Sequence, residues 1–195
     1  MRKIIGIYGL SGSGKSTVSK RLAELSCHLI DGDKIARDIV EKGSPFLLKL
    51  KEAFTDDIIL SDGSLDRKKL GSIVFQNKEE LEKLNGIIWP ETDRIIKEKA
   101  LGIKDGIVVI DAAMLNKVSA KDICDELVMI KADEDILADR ICEREGIEKS
   151  LAISRIKLQL EDIGDDHTRV IENNSSLEEL INKTDCFYKE MKGCL

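Results

Sequence analysis

A glycine-rich segment near the start of the chain has the residue types and the spacing of a phosphate-binding loop. Residues 9–17 read GLSGSGKST, which is a glycine, four residues and then Gly-Lys-Ser. Glycines allow backbone N–H groups to approach phosphate oxygens without a Cβ in the way, and the N-terminus of a following helix adds positive potential. The segment therefore predicts a nucleotide-phosphate site formed by Gly12, Ser13, Gly14, Lys15, Ser16 and Thr17.

Two side chains of this loop add specific chemistry. Lys15 can bring a positive charge to the β- and γ-phosphates, and we assign it a catalytic role. Ser16 supplies a hydroxyl oxygen, and Mg²⁺ takes such ligands in nucleotide sites where it keeps several waters. The alternative is a glycine-rich turn with an unrelated lysine. The apolar run at 4–8 and the helical pattern at 17–25 argue against it, because this motif requires a strand before it and a helix after it.

A pair of carboxylates follows the second predicted strand. Asp31 and Asp33 come directly after the apolar run at 27–30. A carboxylate within reach of an acceptor hydroxyl can take its proton as the bond to phosphorus forms. We interpret Asp33 as this general base or as a group that orients the acceptor. It is also expected to cap a helix over 34–41, and a cap alone is the alternative.

Two arginines further along the chain have the spacing of one helix face. Arg140 and Arg144 are four residues apart, so they can reach the charge of a transferring phosphoryl group together. Gly146 follows them and suits the hinge of a helical lid, which we place at 140–162. The alternative is a solvated surface pattern in which neighbouring glutamates pair with the arginines.

Three classes of protein carry such a loop: small-molecule kinases, GTPase switches and larger ATPases. A GTPase needs Asn-Lys-x-Asp to read guanine, and residues 116–119 read NKVS without the aspartate. It also needs a glycine three residues after the strand-ending aspartate, and residues 111–114 read DAAM. Large ATPases have longer chains and a carboxylate pair where this chain has Asp111 alone. The pattern favours an ATP-dependent kinase of a small metabolite.

Composition and charge narrow the choice of partners. The chain has 195 residues and a net charge of −6, and a nucleic-acid surface usually needs a basic face. No apolar run approaches the about 20 residues of a membrane span. Residues 1–3 lead directly into a strand, so we expect no signal peptide and a cytoplasmic protein. The scattered cysteines indicate reduced thiols; they are Cys27, Cys124, Cys142, Cys186 and Cys194.

The order of apolar runs predicts an α/β fold. Strands are expected near 4–8, 27–30, 107–111, 127–130 and 169–171, with helices between them. This alternation indicates a five-stranded parallel sheet flanked by helices. Ligands bind at the carboxyl ends of such strands, so the glycine-rich loop, Asp31, Asp33 and Asp111 should converge there. His28 is expected to pack inside the second strand.

Residues 45–103 differ from the rest of the chain because their apolar spacing is helical. A simple crossover between parallel strands needs far fewer residues. We therefore predict a helical acceptor-binding lobe within a single domain of residues 1–195. Asn77 is expected to cap a helix, and Pro90 to kink a helix or start a new one.

Several segments beyond the loop match one family of P-loop kinases, in the same order along nearly the whole chain. They are Ile30-Asp31-Gly32-Asp33-Lys34-Ile35-Ala36-Arg37, Gly43-Ser44-Pro45, Asp62-Gly63-Ser64-Leu65-Asp66-Arg67 continuing through Leu70, Val74-Phe75 and Asn77, then Arg140, Arg144, Gln159 and Val170-Ile171-Glu172-Asn173. On these residues the chain resembles the dephospho-coenzyme A kinases. Segment 62–77 discriminates most, because other P-loop kinases do not carry it.

The resemblance implies transfer of the ATP γ-phosphate to the ribose 3′-hydroxyl of dephospho-coenzyme A, the last step of coenzyme A synthesis. It implies that 45–103 binds the acceptor, that Asp33 is the base and that Arg140 contacts phosphate. Arg37 would face the acceptor. Asp111 is placed on the substrate side, either through a Mg²⁺-bound water or by direct contact. The implied cofactors are ATP and Mg²⁺, and we expect a monomer or small homo-oligomer.

The chain departs from the family pattern on the acceptor side. Trp89 stands where the family usually has histidine, and Gly71 where it often has arginine. Ala113 and Lys117 replace a proline and a glutamate. Two alternatives stay open on this account: a divergent P-loop kinase acting on another nucleoside or sugar hydroxyl, and a non-catalytic ATP-binding module.

Overall fold

A computed structural model describes residues 1–74, 77–113, 115–164 and 166–193. Phe75, Met114 and Cys194, each part of a sequence pattern discussed above, lie outside these residues. The chain forms two compact units. One comprises Met1–Asp31 with Lys97–Leu195, and the other comprises Gly32–Ile96.

The first unit is built on a parallel sheet. Its strands are β1 (Arg2–Tyr8), β2 (His28–Asp31), β3 (Gly106–Asp111), β4 (Glu126–Lys131) and β5 (Arg169–Glu172). They lie in the order β2-β3-β1-β4-β5, and every pair is parallel. The predicted five-stranded parallel sheet is confirmed. Since β1 is central, the loop that follows it lies in the middle of the carboxyl edge.

Runs of β-branched residues explain the strands. Ile4–Tyr8 and Ile107–Asp111 are buried along their whole length, as expected for strands covered on both faces. The prediction for His28 is wrong, because His28 and Leu29 are exposed. They belong to β2, which pairs only with β3 and is an edge of the sheet. An edge strand leaves part of its surface in solvent, which the sequence of a short apolar run does not reveal.

Among the residues that the structure describes, the α-helices that lie wholly within this unit are α1 (Lys15–Glu24), α6 (Glu134–Glu145), α7 (Lys149–Asp162) and α8 (Leu177–Gly193). Val18 and Leu22 of α1 belong to the same buried cluster as β1 and α8. The guanidinium of Arg21 on α1 donates to both carboxylate oxygens of Asp185 on α8, at 2.7 and 2.9 Å. This paired contact holds the pKa of Asp185 below its ordinary value.

The second unit is helical. Its helices are α2 (Gly32–Asp38), α3 (Pro45–Ala53), α4 (Arg67–Val74) and α5 (Lys78–Gly102), and α5 continues past Ile96 into the first unit. The unit begins at Gly32 rather than at residue 45. Its role in acceptor binding stays a prediction.

Capping residues mark the N-termini of α3 and α5. The Ser44 hydroxyl accepts from the N–H of Phe46, and Pro45 occupies the first turn, where its missing N–H costs nothing. The predicted cap by Asn77 is confirmed, because its side-chain oxygen accepts from the N–H of Glu79 at 2.9 Å. Pro90 lies inside α5, so it does not begin a new helix.

None of the helices described above combines the length and the hydropathy of a membrane-spanning segment. The cysteines within the described ranges are free thiols. Burial raises the pKa of the Cys27 thiol to about 11 and that of Cys124, beside two aspartates, to about 12. Both thiols are therefore protonated and unreactive at neutral pH.

The helical unit has a small core, and two leucines of α3 provide a matched test of it. Leu50 is 0% exposed, whereas Leu48 is 60% exposed. We expect Leu50→Ala to lower the free energy of unfolding by about 2–5 kcal/mol, through lost burial and a residual cavity. Leu48→Ala should change it by less than about 0.5 kcal/mol. Urea unfolding monitored by circular dichroism measures both, and equal effects would contradict this packing.

Candidate active site

The glycine-rich loop has backbone angles that only glycine adopts readily. After β1 ends at Tyr8, φ is 81° at Gly12 and 98° at Gly14. These values fall in the left-handed region, where a Cβ would meet the backbone. Gly14 is the N-cap of α1, and no side chain caps this helix end. The N–H groups of Lys15 and Ser16, at the start of α1, are thus left for an external acceptor, as phosphate binding at a helix N-terminus requires.

Neighbouring elements also pack closely against the loop. A Cβ on Gly14 would lie 2.4 Å from the side-chain nitrogen of Asn173, and one on Gly9 would lie 2.3 Å from the Ile130 carbonyl oxygen. Both distances are far below van der Waals contact. The glycines therefore serve close packing as well as backbone conformation.

The polar side chains of the loop differ in exposure. Lys15 begins α1 and is only 8% exposed, while Ser16 is exposed. The N–H of Thr17 donates to the Gly14 carbonyl at 3.0 Å, which closes the first turn. Ser16 thus has its hydroxyl in the first turn of the helix whose N-terminus is uncapped.

Both predicted arginines contact the loop from α6. Arg140 donates to the Gly12 carbonyl at 3.3 Å, and Arg144 donates to the Ser11 hydroxyl at 2.9 Å. Their placement on one helix face is confirmed. Within the described ranges no carboxylate pairs with Arg140, so none of these residues neutralises its charge.

The alternative interpretation of the arginines as surface ion pairs holds for Arg144 only. Arg144 pairs with Glu145, which Arg155 of α7 also contacts at 2.6 Å. These guanidinium groups, Arg144 first, lower the pKa of the Glu145 carboxyl. Gly146 has φ of 66° and caps the C-terminus of α6, so its presence is explained by helix termination. A lid at 140–162 stays a prediction.

Two aspartates end neighbouring strands at the carboxyl edge. Asp31 and Asp111 are the last residues of β2 and β3 and are partners in register. Asp111 also lies beside Ile7 of β1, and it is 7% exposed. The expectation that these carboxylates lie with the loop at one edge of the sheet is confirmed for Asp31 and Asp111.

The oxygen donors of this edge are of the type that Mg²⁺ prefers. They are the Ser16 hydroxyl and the two strand-ending carboxylates. No group of three or more histidine, cysteine, aspartate or glutamate residues is arranged to hold a metal among the described residues. A Mg²⁺ ion that arrives with nucleotide phosphates needs only one or two protein ligands, so this set of donors fits it.

Asp33 and Arg37 belong to the helical unit. The expected cap by Asp33 is wrong, because α2 begins at Gly32 and Asp33 lies inside its first turn. A carboxylate there is still favourable, since it faces the positive end of the helix. Arg37 is exposed in the last turn, and its carbonyl accepts from Arg67 at 3.0 Å.

Two further side chains hold the loop, and residue spacing alone does not indicate their contacts. Asn173, directly after β5, donates to the Ser13 carbonyl at 2.8 Å. Gln159 of α7 accepts from the Ser11 N–H at 3.1 Å. A signal for Asn173 was present: a polar residue following a strand at the carboxyl edge, as for Asp111. No comparable signal marks Gln159, since it lies within a helix.

Lys117, which departs from the family pattern, lies near an acidic residue of this unit. Lys117 is exposed at the end of a short 3-10 helix, Leu115–Lys117. The pKa of Asp166 is lowered by a hydrogen bond from Lys121 and, to a lesser degree, by the charge of Lys117. The basic residue thus stands near an acidic one. Asn116 before it is buried at 4% exposure.

The close packing at Gly14 predicts that adding even a methyl group there weakens nucleotide binding. We expect Gly14→Ala to weaken ADP binding by about tenfold or more, since about 1.4 kcal/mol of strain corresponds to tenfold. Gly86→Ala is the matched control, because Gly86 lies in α5 with nothing within 4 Å of its Cβ position. Calorimetric titration with ADP measures both variants. Unchanged affinity in Gly14→Ala would contradict the described contact with Asn173.

Comparisons with known proteins agree with this geometry. Residues 3–179 match the family model described as dephospho-CoA kinase. A dephospho-CoA kinase of Fusobacterium nucleatum is 42% identical over 186 residues, covering 94% of this chain and 96% of the relative. Among solved structures, TT1252 from Thermus thermophilus is 26% identical with a TM-score of 0.76, and 97% of each chain is covered.

A second solved structure extends the likeness of fold. The dephospho-CoA kinase from Campylobacter jejuni is 22% identical, with a TM-score of 0.70 and full coverage of both chains. The family model alone spans most of the sequence and includes the loop, both arginines and Asn173. The chain is therefore a P-loop kinase and belongs to the dephospho-CoA kinase family.

Proposed function

We propose that this chain transfers the γ-phosphate of ATP to the ribose 3′-hydroxyl of dephospho-coenzyme A, forming coenzyme A and ADP. Family membership supports the reaction. The observation that supports ATP binding is the structure of the loop. The uncapped N-terminus of α1 lies beside the Arg140 guanidinium, which no described carboxylate neutralises.

Binding of ATP is assigned to the loop and α6. The N–H groups of Gly12, Gly14, Lys15 and Ser16 line the phosphate cradle, to which Ser13 and Thr17 also belong. Lys15 binds the β- and γ-phosphates. Arg144 contributes from the rim, where it already contacts Ser11.

Mg²⁺ is assigned to Ser16, and when bound it neutralises charge on the β- and γ-phosphate oxygens. Asp111 is assigned to the substrate side, where its carboxylate holds either a Mg²⁺-bound water or the acceptor. Its burial at the end of β3 fixes its position, because a short, buried side chain on an interior strand has little freedom.

The chemical step needs one proton acceptor and one stabilising cation. Asp33 takes the proton of the 3′-hydroxyl as that oxygen attacks the γ-phosphorus. The bond from the γ-phosphorus to the bridging oxygen breaks, and ADP leaves with that electron pair. Arg140 stabilises the charge spread over the transferring phosphoryl oxygens. Arg37 is assigned to the acceptor.

The departures at Trp89, Ala113 and Lys117 favour one second candidate, a kinase of another nucleoside or sugar hydroxyl. Incubation of the purified chain with ATP, Mg²⁺ and dephospho-coenzyme A, followed by chromatography for coenzyme A, decides between them. Turnover confirms the proposal. ADP formed only with another hydroxyl acceptor would support the second candidate, and ATP binding without any transfer would indicate a non-catalytic module.

We further propose that the protein acts in the cytoplasm, where ATP is abundant and where unpaired thiols persist. Its partner is a small molecule, and a nucleic-acid or membrane partner is not expected from its acidic charge. A monomer or small homo-oligomer is expected, and light scattering of the purified chain measures this.

The role of Asp33 predicts a loss of rate without a loss of fold. We expect Asp33→Asn to lower kcat by about 10²-fold or more, since the amide has similar shape but cannot accept the proton. Asp38→Asn at the other end of α2 is the control, because Asp38 is exposed. Steady-state kinetics with saturating ATP measures both, and an unchanged kcat in Asp33→Asn would remove the base assignment.

The metal role of Ser16 predicts a change in Mg²⁺ dependence. We expect Ser16→Ala to raise the Mg²⁺ concentration for half-maximal activity by about tenfold, because one of few protein ligands is lost. Ser72→Ala serves as control, since Ser72 is exposed on α4 and donates to Lys69. Rate against Mg²⁺ at fixed ATP measures the shift. Identical curves for both variants would exclude Ser16 as a ligand.

A further inference from the structure

Asn173 occupies an unusual position for a polar side chain. It follows β5 directly and is only 4% exposed. Its N–H donates to the Lys131 carbonyl at 2.7 Å, which fixes its backbone at the end of β4. A buried amide side chain is costly unless its donor and acceptor are both satisfied.

Both polar groups of the Asn173 side chain form hydrogen bonds, one with the phosphate-binding loop and one with Arg140. The amide nitrogen donates to the Ser13 carbonyl at 2.8 Å. The amide oxygen accepts from Arg140 at 3.4 Å. The orientation of the amide follows from chemistry, because a carbonyl can only accept and a guanidinium can only donate. To form both contacts from this position, a residue needs a short side chain with one donor and one acceptor.

The contact with Ser13 determines where the next N–H group points. In a trans peptide the C=O and the following N–H point in opposite directions. When Asn173 holds the Ser13 carbonyl, the N–H of Gly14 points in the opposite direction within the same peptide plane. The Gly12 carbonyl is held in the same manner by Arg140.

The carbonyls of Gly12, Ser13 and Gly14 are thus engaged by the protein, that of Gly14 by the Thr17 N–H. The Ser13 N–H is also used internally, since it donates to the Leu10 carbonyl at 3.1 Å. A phosphate is repelled by carbonyl oxygens and attracted by N–H groups, so this division of the two kinds of group makes the loop a binding site. The conformational entropy of the loop is therefore lost on folding, and binding of the ligand does not have to order it.

We propose that Asn173 is a positioning residue for ATP: its amide fixes the Ser13–Gly14 peptide so that the Gly14 N–H faces the phosphates, and it orients Arg140 toward the same group. The effect of Asn173 on the rate of phosphoryl transfer rests on the proposed function. Its effect on nucleotide binding depends only on the structure of the loop.

Two substitutions separate the two contacts. Asn173→Ala removes both. Asn173→Asp is nearly isosteric and strengthens the attraction to Arg140, but its carboxylate cannot donate to the Ser13 carbonyl. Asn182→Ala is the matched control, because Asn182 is exposed on α8.

Calorimetric titration with ADP is the first measurement. We expect both Asn173 variants to bind ADP about tenfold more weakly than the unmodified chain, since a lost buried hydrogen bond shifts an equilibrium by about one order of magnitude. Asn182→Ala should bind ADP normally. Normal ADP affinity in Asn173→Asp would overturn the role assigned to the Ser13 contact. Because Asn173→Asp keeps the shape of the side chain, it decides the matter even if Asn173→Ala does not fold.

Steady-state kinetics distinguishes positioning from a loss of stability. A positioning role raises KM for ATP by about tenfold and lowers kcat, while KM for dephospho-coenzyme A stays unchanged. A lower thermal midpoint with unchanged KM for ATP would overturn the proposal. If the unmodified chain binds ADP but does not phosphorylate dephospho-coenzyme A, the proposed acceptor is wrong, and the ADP titrations still test Asn173.

Discussion

The structure of the sheet unit depends on one constraint: the backbone between β1 and α1 must present N–H groups while its carbonyls are satisfied elsewhere. Left-handed angles at Gly12 and Gly14 make this path possible. The protein then engages the carbonyls from two other elements, through Arg140 of α6 and through Asn173 after β5. The apolar cluster around β1 provides the rigid support, since Ile5, Ile7 and Val18 are fully buried. A loop this short and glycine-rich would otherwise adopt many conformations.

The same constraint explains the distribution of charge. Anions are attracted to an uncapped helix N-terminus, and a carboxylate cap at Gly14 would compete with a phosphate for those N–H groups. No side chain caps that helix end, and two aspartates of this edge lie at the ends of β2 and β3 instead. Hydroxyl and carboxylate oxygens placed at the side of an anion site are suited to a divalent cation that accompanies the anion. The chain is acidic overall, yet the phosphate-binding loop is locally cationic, because Lys15 and Arg140 lie there.

Much of the fold followed from periodicity, and the failures have clear physical reasons. The strands and the parallel sheet were predictable, since runs such as Ile107–Asp111 allow few other structures. His28 was misassigned because whether a strand lies at the edge depends on strand order, which local sequence does not contain. Asp33 was expected to precede α2, but the helix begins at Gly32, since boundaries depend on tertiary context. The loop and the arginines were predictable from spacing. The contact of Gln159 with Ser11 was not, because it depends on how α7 packs against α6.

The hydrogen bond between Asn173 and the Ser13 carbonyl also has a consequence for biosynthesis. Its two residues are 160 positions apart in the chain, which is most of its length. A ribosome therefore adds 160 residues between Ser13 and its anchor, and synthesis proceeds at about 5–20 residues per second. For many seconds the nascent chain therefore carries the complete loop sequence without the group that shapes it. Nucleotide therefore binds at full strength only after β5 has emerged and paired with β4, and ligand binding stabilises the completed fold more than its early intermediates.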